Sequence, residues 1–150
     1  MTELRTVSER KGDVLEALGK DFDMWVATAD PIGRPHLIAA SGWWDGSRVV
    51  MATRGASRTA QNLAQNPVAQ IAVGSQNDAI MITAHLEDSY PAAGAPAEVA
   101  EGFEKSAGWD PREEGEDWVF YRFRPERIQA YRGYGELQGR DVMKGSRWLA

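Results

Sequence analysis

Apolar and polar positions fall into short alternating or clustered runs, and the period changes several times along the chain. The stretch from Ser8 through "ERKGDVLEALGK" carries Val14, Leu15 and Leu18 at helical spacing, which predicts a short amphipathic helix capped by Ser8 and weakened by Gly12. "FDMWVATAD", rich in aromatic and apolar residues, predicts a well-buried strand, and "DPIGRP" supplies Pro and Gly for a reversal. "PHLIAASGWW" and "SRVVMAT" read as two further strands. Asp45-Gly46 between them is a hairpin signal of the type I′ kind, in which both central residues take positive φ. The three strands form an antiparallel meander.

A helix then runs to Asn66-Pro67. "VAQIAVG" and "AIMITAHLED" read as strands separated by "SQND", followed by a Pro/Ala/Gly linker, "SYPAAGAPAE". "PAEVAEGFEKSAG" predicts a short helix with Val99, Phe103 and Ala107 facing inward. After the acidic stretch "DPREEGED", read as a solvated loop, "DWVFYRFRP" and "RIQAYRGYGE" read as two last strands joined at Arg124-Pro125-Glu126. About six short strands with tight turns and small helices between them predict a closed or nearly closed antiparallel barrel, since closure hides free sheet edges.

Composition narrows the chemistry. The chain has 150 residues, a length suited to one domain spanning 1–150, and hydrophobic residues make up 43%, an ordinary globular value. A net charge of −5 argues against nucleic acid as a partner, because phosphate neutralisation needs surplus Lys and Arg. The chain has no cysteine and 2 histidines, so no metal site is assigned, and thiolate nucleophiles and Cys-ligated clusters are excluded. The polar start "MTELRTVSERKG" and the lack of a long apolar run predict a cytoplasmic protein with no membrane segment.

Within this acidic chain, "TRGASRTAQNLAQNP" (53–67) builds a basic, hydroxyl-rich entrance to a helix. Ser57 is a good N-cap, and Ala60, Leu63 and Ala64 give the stripe that packs a helix on a sheet. A helix N-terminus exposes unpaired N–H groups and a partial positive charge, which favour an anion. Arg58 adds a fork of donors, and the hydroxyls of Thr53, Ser57 and Thr59 can complete a cradle. The same residues also read as a plainly capped helix with two solvent-facing arginines, and no G-x-G-x-x-G or P-loop pattern is present.

The order of pieces from "WVATADPIGRPHLIAAS" through "WWDGSRVVMATRGASRTAQNLAQNPVAQIAVG" resembles the split-barrel flavoproteins related to pyridoxamine 5′-phosphate oxidase, with "RPERIQAYRG" as a weaker match. That resemblance implies a mainly β fold, a six-stranded antiparallel split β-barrel with short peripheral helices, binding FMN or the deazaflavin F420. It implies Thr53, Ser57, Arg58 and Thr59 at the cofactor phosphate, with Asn62 the next motif residue. It places the strand His36, Leu37, Ile38, Ala39, Ala40 and Ser41 along the ring, held largely by backbone groups. It further implies a homodimer with the cofactor at the interface and hydride transfer to or from a small unsaturated substrate. Two departures stand against pyridoxamine phosphate as that substrate. Oxidases of vitamin B6 carry Arg-Lys where this chain has Arg58-Thr59, and they end in an Arg-x-His that is absent here. Arg34, Arg48 and Arg54 are candidates for an anionic cofactor tail or for solvated surface.

No catalytic side chain is assigned, which fits a reaction in which the cofactor supplies the redox chemistry. The rival class is a module that holds a flavin or haem without turnover; a barrel with no cofactor is the third reading. His36 reads equally as a site residue or a barrel histidine, and His85 with Glu87 and Asp88 as a solvated strand end. Trp43 and Trp44 point to opposite faces of their strand, one to the core and one outward. Tyr121, Tyr131 and Tyr134 read as core or interface.

Overall fold

The computed structural model describes residues 4–150. In chain order its elements are α1 (Val7–Leu18), β1 (Phe22–Ala29), β2 (Pro35–Trp44), β3 (Val49–Arg54), α2 (Arg58–Gln65), β4 (Val68–Ser75), β5 (Asp78–Pro91), α3 (Ala97–Ala107), β6 (Trp118–Tyr131), β7 (Asp141–Lys144) and β8 (Arg147–Trp148). The strands run in the order β3-β2-β1-β4-β5-β6, and β6 pairs back onto β3, closing an antiparallel barrel of six strands with β7 and β8 appended. No helix among the described residues is long and apolar enough to cross a membrane.

Alternation along the strands sets the barrel interior. Phe22, Met24, Val26 and Thr28 of β1 point inward, while Trp25 between them is 54% exposed. The strand is therefore half-buried rather than wholly buried, because nothing among the described residues covers its outer face. β3 is buried on both sides: Val49 and Met51 face the barrel, and Val50 and Ala52 lie under α3 in a second small core with Val99, Phe103 and Phe120. There Phe103 meets Trp109 and Phe120 edge-on at 5.4 and 5.6 Å. Trp44 packs on the barrel core and Trp43 on the second core, so neither tryptophan is left outside. A Cβ on Gly102 of α3 would lie 2.2 Å from the Trp43 ring, so only glycine allows this approach.

Several local expectations change. Thr6, not Ser8, caps α1 in a reciprocal capping box with Glu9, and the buried stripe is Arg10, Val14 and Leu18, leaving Leu15 on the surface. Asp45-Gly46 forms no type I′ turn. Only Gly46 has positive φ, and the four-residue loop is held by the Asp45 carboxylate, which accepts from the Ser47 and Arg48 N–H groups. Arg124-Pro125-Glu126 is not a turn. β6 runs straight through it, and the register shift opposite Thr83/Ala84 makes a bulge where Pro125 is tolerated without an N–H. β5 likewise continues three residues past Asp88 to Pro91, into the Pro/Ala/Gly stretch. The acidic stretch forms a 3-10 turn at Pro111–Glu113, with Asp110 buried as its cap.

The chain ends are tied together by charge. Arg10 is 1% exposed and donates to the carbonyls of Ala130, Glu136 and Gln138. Arg5 pairs with Glu136 at 2.6 Å, and the Arg132 N–H also donates to that carboxylate. The Arg5 guanidinium beside it, with the Arg5 and Arg132 N–H groups, lowers the Glu136 carboxyl from 4.5 to about 2. A carboxylate lowered in the folded state stabilises fully above its unfolded value and is lost as pH falls towards the folded one. We expect Glu136→Gln to destabilise the protein at pH 7, and the difference from wild type to shrink between pH 4.5 and 2. Urea unfolding at a series of pH values measures this; a difference independent of pH would contradict it.

Candidate functional site

The site arises where β2 and β3 part. Their ladder contains only Trp43↔Val50 and Trp44↔Val49, whereas β1 accompanies β2 from Pro35 to Gly42. Along Pro35–Gly42 the other edge of β2 therefore has no strand partner among the described residues, leaving backbone donors and acceptors for a planar polar ligand. β3 turns away to pair with β6 over Val49–Arg54, and the chain then enters α2 at the mouth of the gap.

α2 closes this end of the barrel. Ala60 and Leu63 join the core, Thr59 and Asn62 are buried beside them, and Ala64 faces solvent. Asn62 is only 2% exposed, and its amide donates to Thr28 of β1 at 3.1 Å, fixing the helix to the rim. The Ser57 hydroxyl accepts from the Ala60 N–H at 3.1 Å and receives a hydrogen bond from Thr53 at 3.3 Å. The N–H groups of Arg58 and Thr59 find no acceptor among the described residues. Thr59 is 1% exposed, and its hydroxyl is buried with no partner. The Arg58 guanidinium makes no ion pair or hydrogen bond among the described residues, unlike Arg34, which pairs with Asp30, and Arg48, which pairs with Asp45 and Glu87. Arg54 stacks on Trp118, 5.6 Å from the ring centroid.

Gly55 and Ala56 lead into the cap under a constraint invisible in the motif. Their N–H groups donate to the main-chain carbonyl and the carboxylate of Asp117, at 2.7 and 3.3 Å. A Cβ at Gly55 would stand 2.9 Å from that carboxylate. Burial, with Asp117 adding, pushes the Tyr121 phenol in the barrel wall upward, so it stays protonated at neutral pH.

The residues singled out in the sequence divide by face. His36, Ile38 and Ala40 turn towards the barrel, with Ile38 and Ala40 against the core and His36 at the rim opposite Thr28. Leu37 (61% exposed), Ala39 and Ser41 face outward, and the Ser41 hydroxyl receives a hydrogen bond from the Trp109 indole. Arg58, His36 and Asn62 line a cavity of about 220 Å³ with Asp30, Arg34 and Pro35. The seat is thus a small cavity at the rim beside an open strand edge and face. On that face Ala39, Trp25, Ala72 and Met81 form one row across β2, β1, β4 and β5. His85 lies apart, 2.7 Å from Glu126, and Asp88 pairs with Arg122. Asp117 is the residue the sequence does not single out; the acidic loop carries no signal that one of its carboxylates folds onto residues 55–56.

Comparison with known proteins fixes the lineage. The family model described as pyridoxamine 5′-phosphate oxidase matches residues 13–132. The chain belongs to the pyridoxamine 5′-phosphate oxidase family. No curated protein matches it significantly. A solved structure described as an F420 reductase has a TM-score of 0.65 at 18% identity, covering 76% of this chain and 94% of its own. A haem-binding protein from Mycobacterium smegmatis has a TM-score of 0.70 at 17% identity, covering 90% and 57%. A pyridoxamine 5′-phosphate oxidase-related, FMN-binding protein from Nostoc punctiforme PCC 73102 has a TM-score of 0.58 at 13% identity, covering 87% of each chain. At these identities the three show a shared fold.

The orphaned hydroxyl gives a direct test of how the seat stands in this family member. Removing a buried polar group that lacks a partner relieves its desolvation cost, so Thr59→Val should leave the ligand-free protein as stable as wild type or up to about 1 kcal/mol more stable. Urea unfolding of ligand-free protein decides this; a loss above about 1 kcal/mol would show that the hydroxyl is bonded within the fold.

Proposed function

We propose that this pyridoxamine 5′-phosphate oxidase family member binds FMN or F420 and exchanges a hydride between it and a small unsaturated substrate. The observation that carries the reading is the unpartnered Arg58 beside two free N–H groups at the start of α2, over the buried, unsatisfied Thr59 hydroxyl. These donors fit a phosphate. Arg58 would grip it, the Arg58 and Thr59 N–H groups would donate to it, and the Thr53 and Ser57 hydroxyls would complete the cradle. The free edge of β2 over residues 36–41 would hold the ring through backbone groups. The flavin or deazaflavin would supply the hydride chemistry. The chain's residues bind it, orient it and keep water from its buried side. Pyridoxamine phosphate is not the expected substrate, since Thr59 stands where the oxidases of vitamin B6 carry a second cation.

A second copy of the chain would complete the site. The row Ala39, Trp25, Ala72 and Met81, with Leu37 beside it, leaves an apolar face open next to the ring position, and Trp25 and Leu37 are 54% and 61% exposed. Such a face is the chemistry of an obligate homodimer interface. A second reading, a protein that holds haem or flavin without turnover, draws support from His36, an imidazole lining the rim cavity.

Absorbance of the purified protein, mass spectrometry of what heat releases, and titration of ligand-free protein with FMN, F420 and haem test the reading. FMN or F420 is expected to bind, and Arg58→Ala to weaken binding by about 10- to 100-fold, the cost of losing a charged hydrogen-bond pair. Unchanged affinity in Arg58→Ala would remove the seat from the proposal. Haem binding with no FMN or F420 binding would favour the second reading.

A further inference from the structure

The charge around the seat is more specific than the presence of an arginine. Arg54 and Arg58 flank the cap, and the carboxylate of Asp117 lies against Gly55 and Ala56, immediately before Ser57. Asp30 and Arg34, at the cavity's far side, neutralise each other. The residue after Arg58 is Thr59, buried and uncharged, so it adds no charge to those of Arg54 and Arg58. The seat therefore carries two positive charges and one negative, a surplus of one.

We propose that Asp117 makes this seat selective for a singly charged phosphodiester over a doubly charged phosphomonoester. The inference rests on the reading that a cofactor phosphate occupies the start of α2. FMN ends in a phosphomonoester, which carries between one and a half and two negative charges near neutral pH. The F420 phosphate is a diester with one negative charge whatever the pH above its acidic range. The surplus of one matches the diester and leaves the second charge of the monoester facing the Asp117 carboxylate. Like charges at several ångströms in a solvent-exposed site change an affinity by about three- to tenfold. Asp117 also holds the Gly55–Ala56 loop through its main-chain carbonyl, a contact that does not depend on the side-chain charge. Replacing the carboxylate by an amide thus alters the charge while leaving that part of the loop's support in place.

The test is the ratio of FMN to F420 dissociation constants, measured by calorimetry on the same ligand-free preparation, in wild type and in Asp117→Asn. Ring and tail contributions are common to both proteins and cancel in the change of ratio. Asp117→Asn is expected to shift the ratio towards FMN by about fivefold. The wild-type ratio should also shift towards FMN as pH falls from 7.5 to 5.5, since the monoester gains a proton near pH 6. The pH trend reads the seat's preference for a single charge and Asp117→Asn assigns it to Asp117; should that variant fail to fold, Asp117→Ser carries the same test. Binding of either cofactor with a ratio indifferent to Asp117→Asn and to pH would overturn the selectivity while leaving the seat intact. Binding of neither would overturn the seat and the selectivity with it.

Discussion

The closure of the barrel is the constraint from which the rest follows. Six strands meet end to end only because β3 leaves β2 after two residue pairs and crosses to β6 for the whole of Val49–Arg54. That departure strands one edge of β2 in the middle of a sheet, where an unpaired row of peptide groups is costly unless something polar lies along it. It also fixes where the chain goes next. From Arg54 the only short route back to β4 crosses the mouth of the gap, so α2 is laid over the rim with its N-terminus beside the open edge. An open strand edge and an exposed helix N-terminus, the two parts of the proposed site, are thus produced together by one change of strand partner.

Electrostatics sharpens this. The arginines that hold the fold are spent on carboxylates and carbonyls: Arg5 on Glu136, Arg10 on four main-chain oxygens, Arg122 on Asp88, Arg127 on Asp141. Arg58 stands at a helix start, where its charge adds to the macrodipole instead of complementing it. A cation placed against the dipole is unfavourable for the empty helix and favourable only with an anion present. Thr59 repeats the pattern, its hydroxyl buried with no acceptor or donor within reach. Two local costs at consecutive residues, where the other buried side-chain polar atoms among the described residues are satisfied, support the reading of a site organised for a ligand.

What the sequence made legible was what alternation and turn chemistry control. The first meander, the Ser57 cap and the helix ended by Asn66-Pro67 are all local. What it hid was set by partners distant in the chain. Pro125 looked like a strand end because a proline in a central strand loses a ladder bond, yet opposite Thr83/Ala84 a bulge absorbs it and β6 runs on. Alternation turns one of Trp43 and Trp44 outward, yet α3, some sixty residues later, brings Gly102 against Trp43. Asp45-Gly46 carried a strong hairpin signal, but the Asp45 side chain preferred to cap the next two N–H groups, opening the loop to four residues. Asp117 sits in a run of acids whose composition says only that it is wet; its position against residues 55–56 comes from the pairing of β3 with β6, which brings Arg54 opposite Trp118.

That last pairing explains why motif and chemistry separate in this fold. On the proposed reading the ring platform is backbone, so its residues are free to be His, Leu, Ile or Ala without changing which peptide groups face the gap, and sequence similarity there says little about the ligand. The seat is different. A cap hydroxyl and helix N–H groups accept any phosphate, and discrimination falls to the few charges that later strands carry to its edge. In this chain those are Arg54, brought opposite Trp118, and Asp117, the residue immediately before β6. On the proposed reading, the choice of cofactor is encoded some sixty residues away from the motif that would bind it, at the point where the barrel closes.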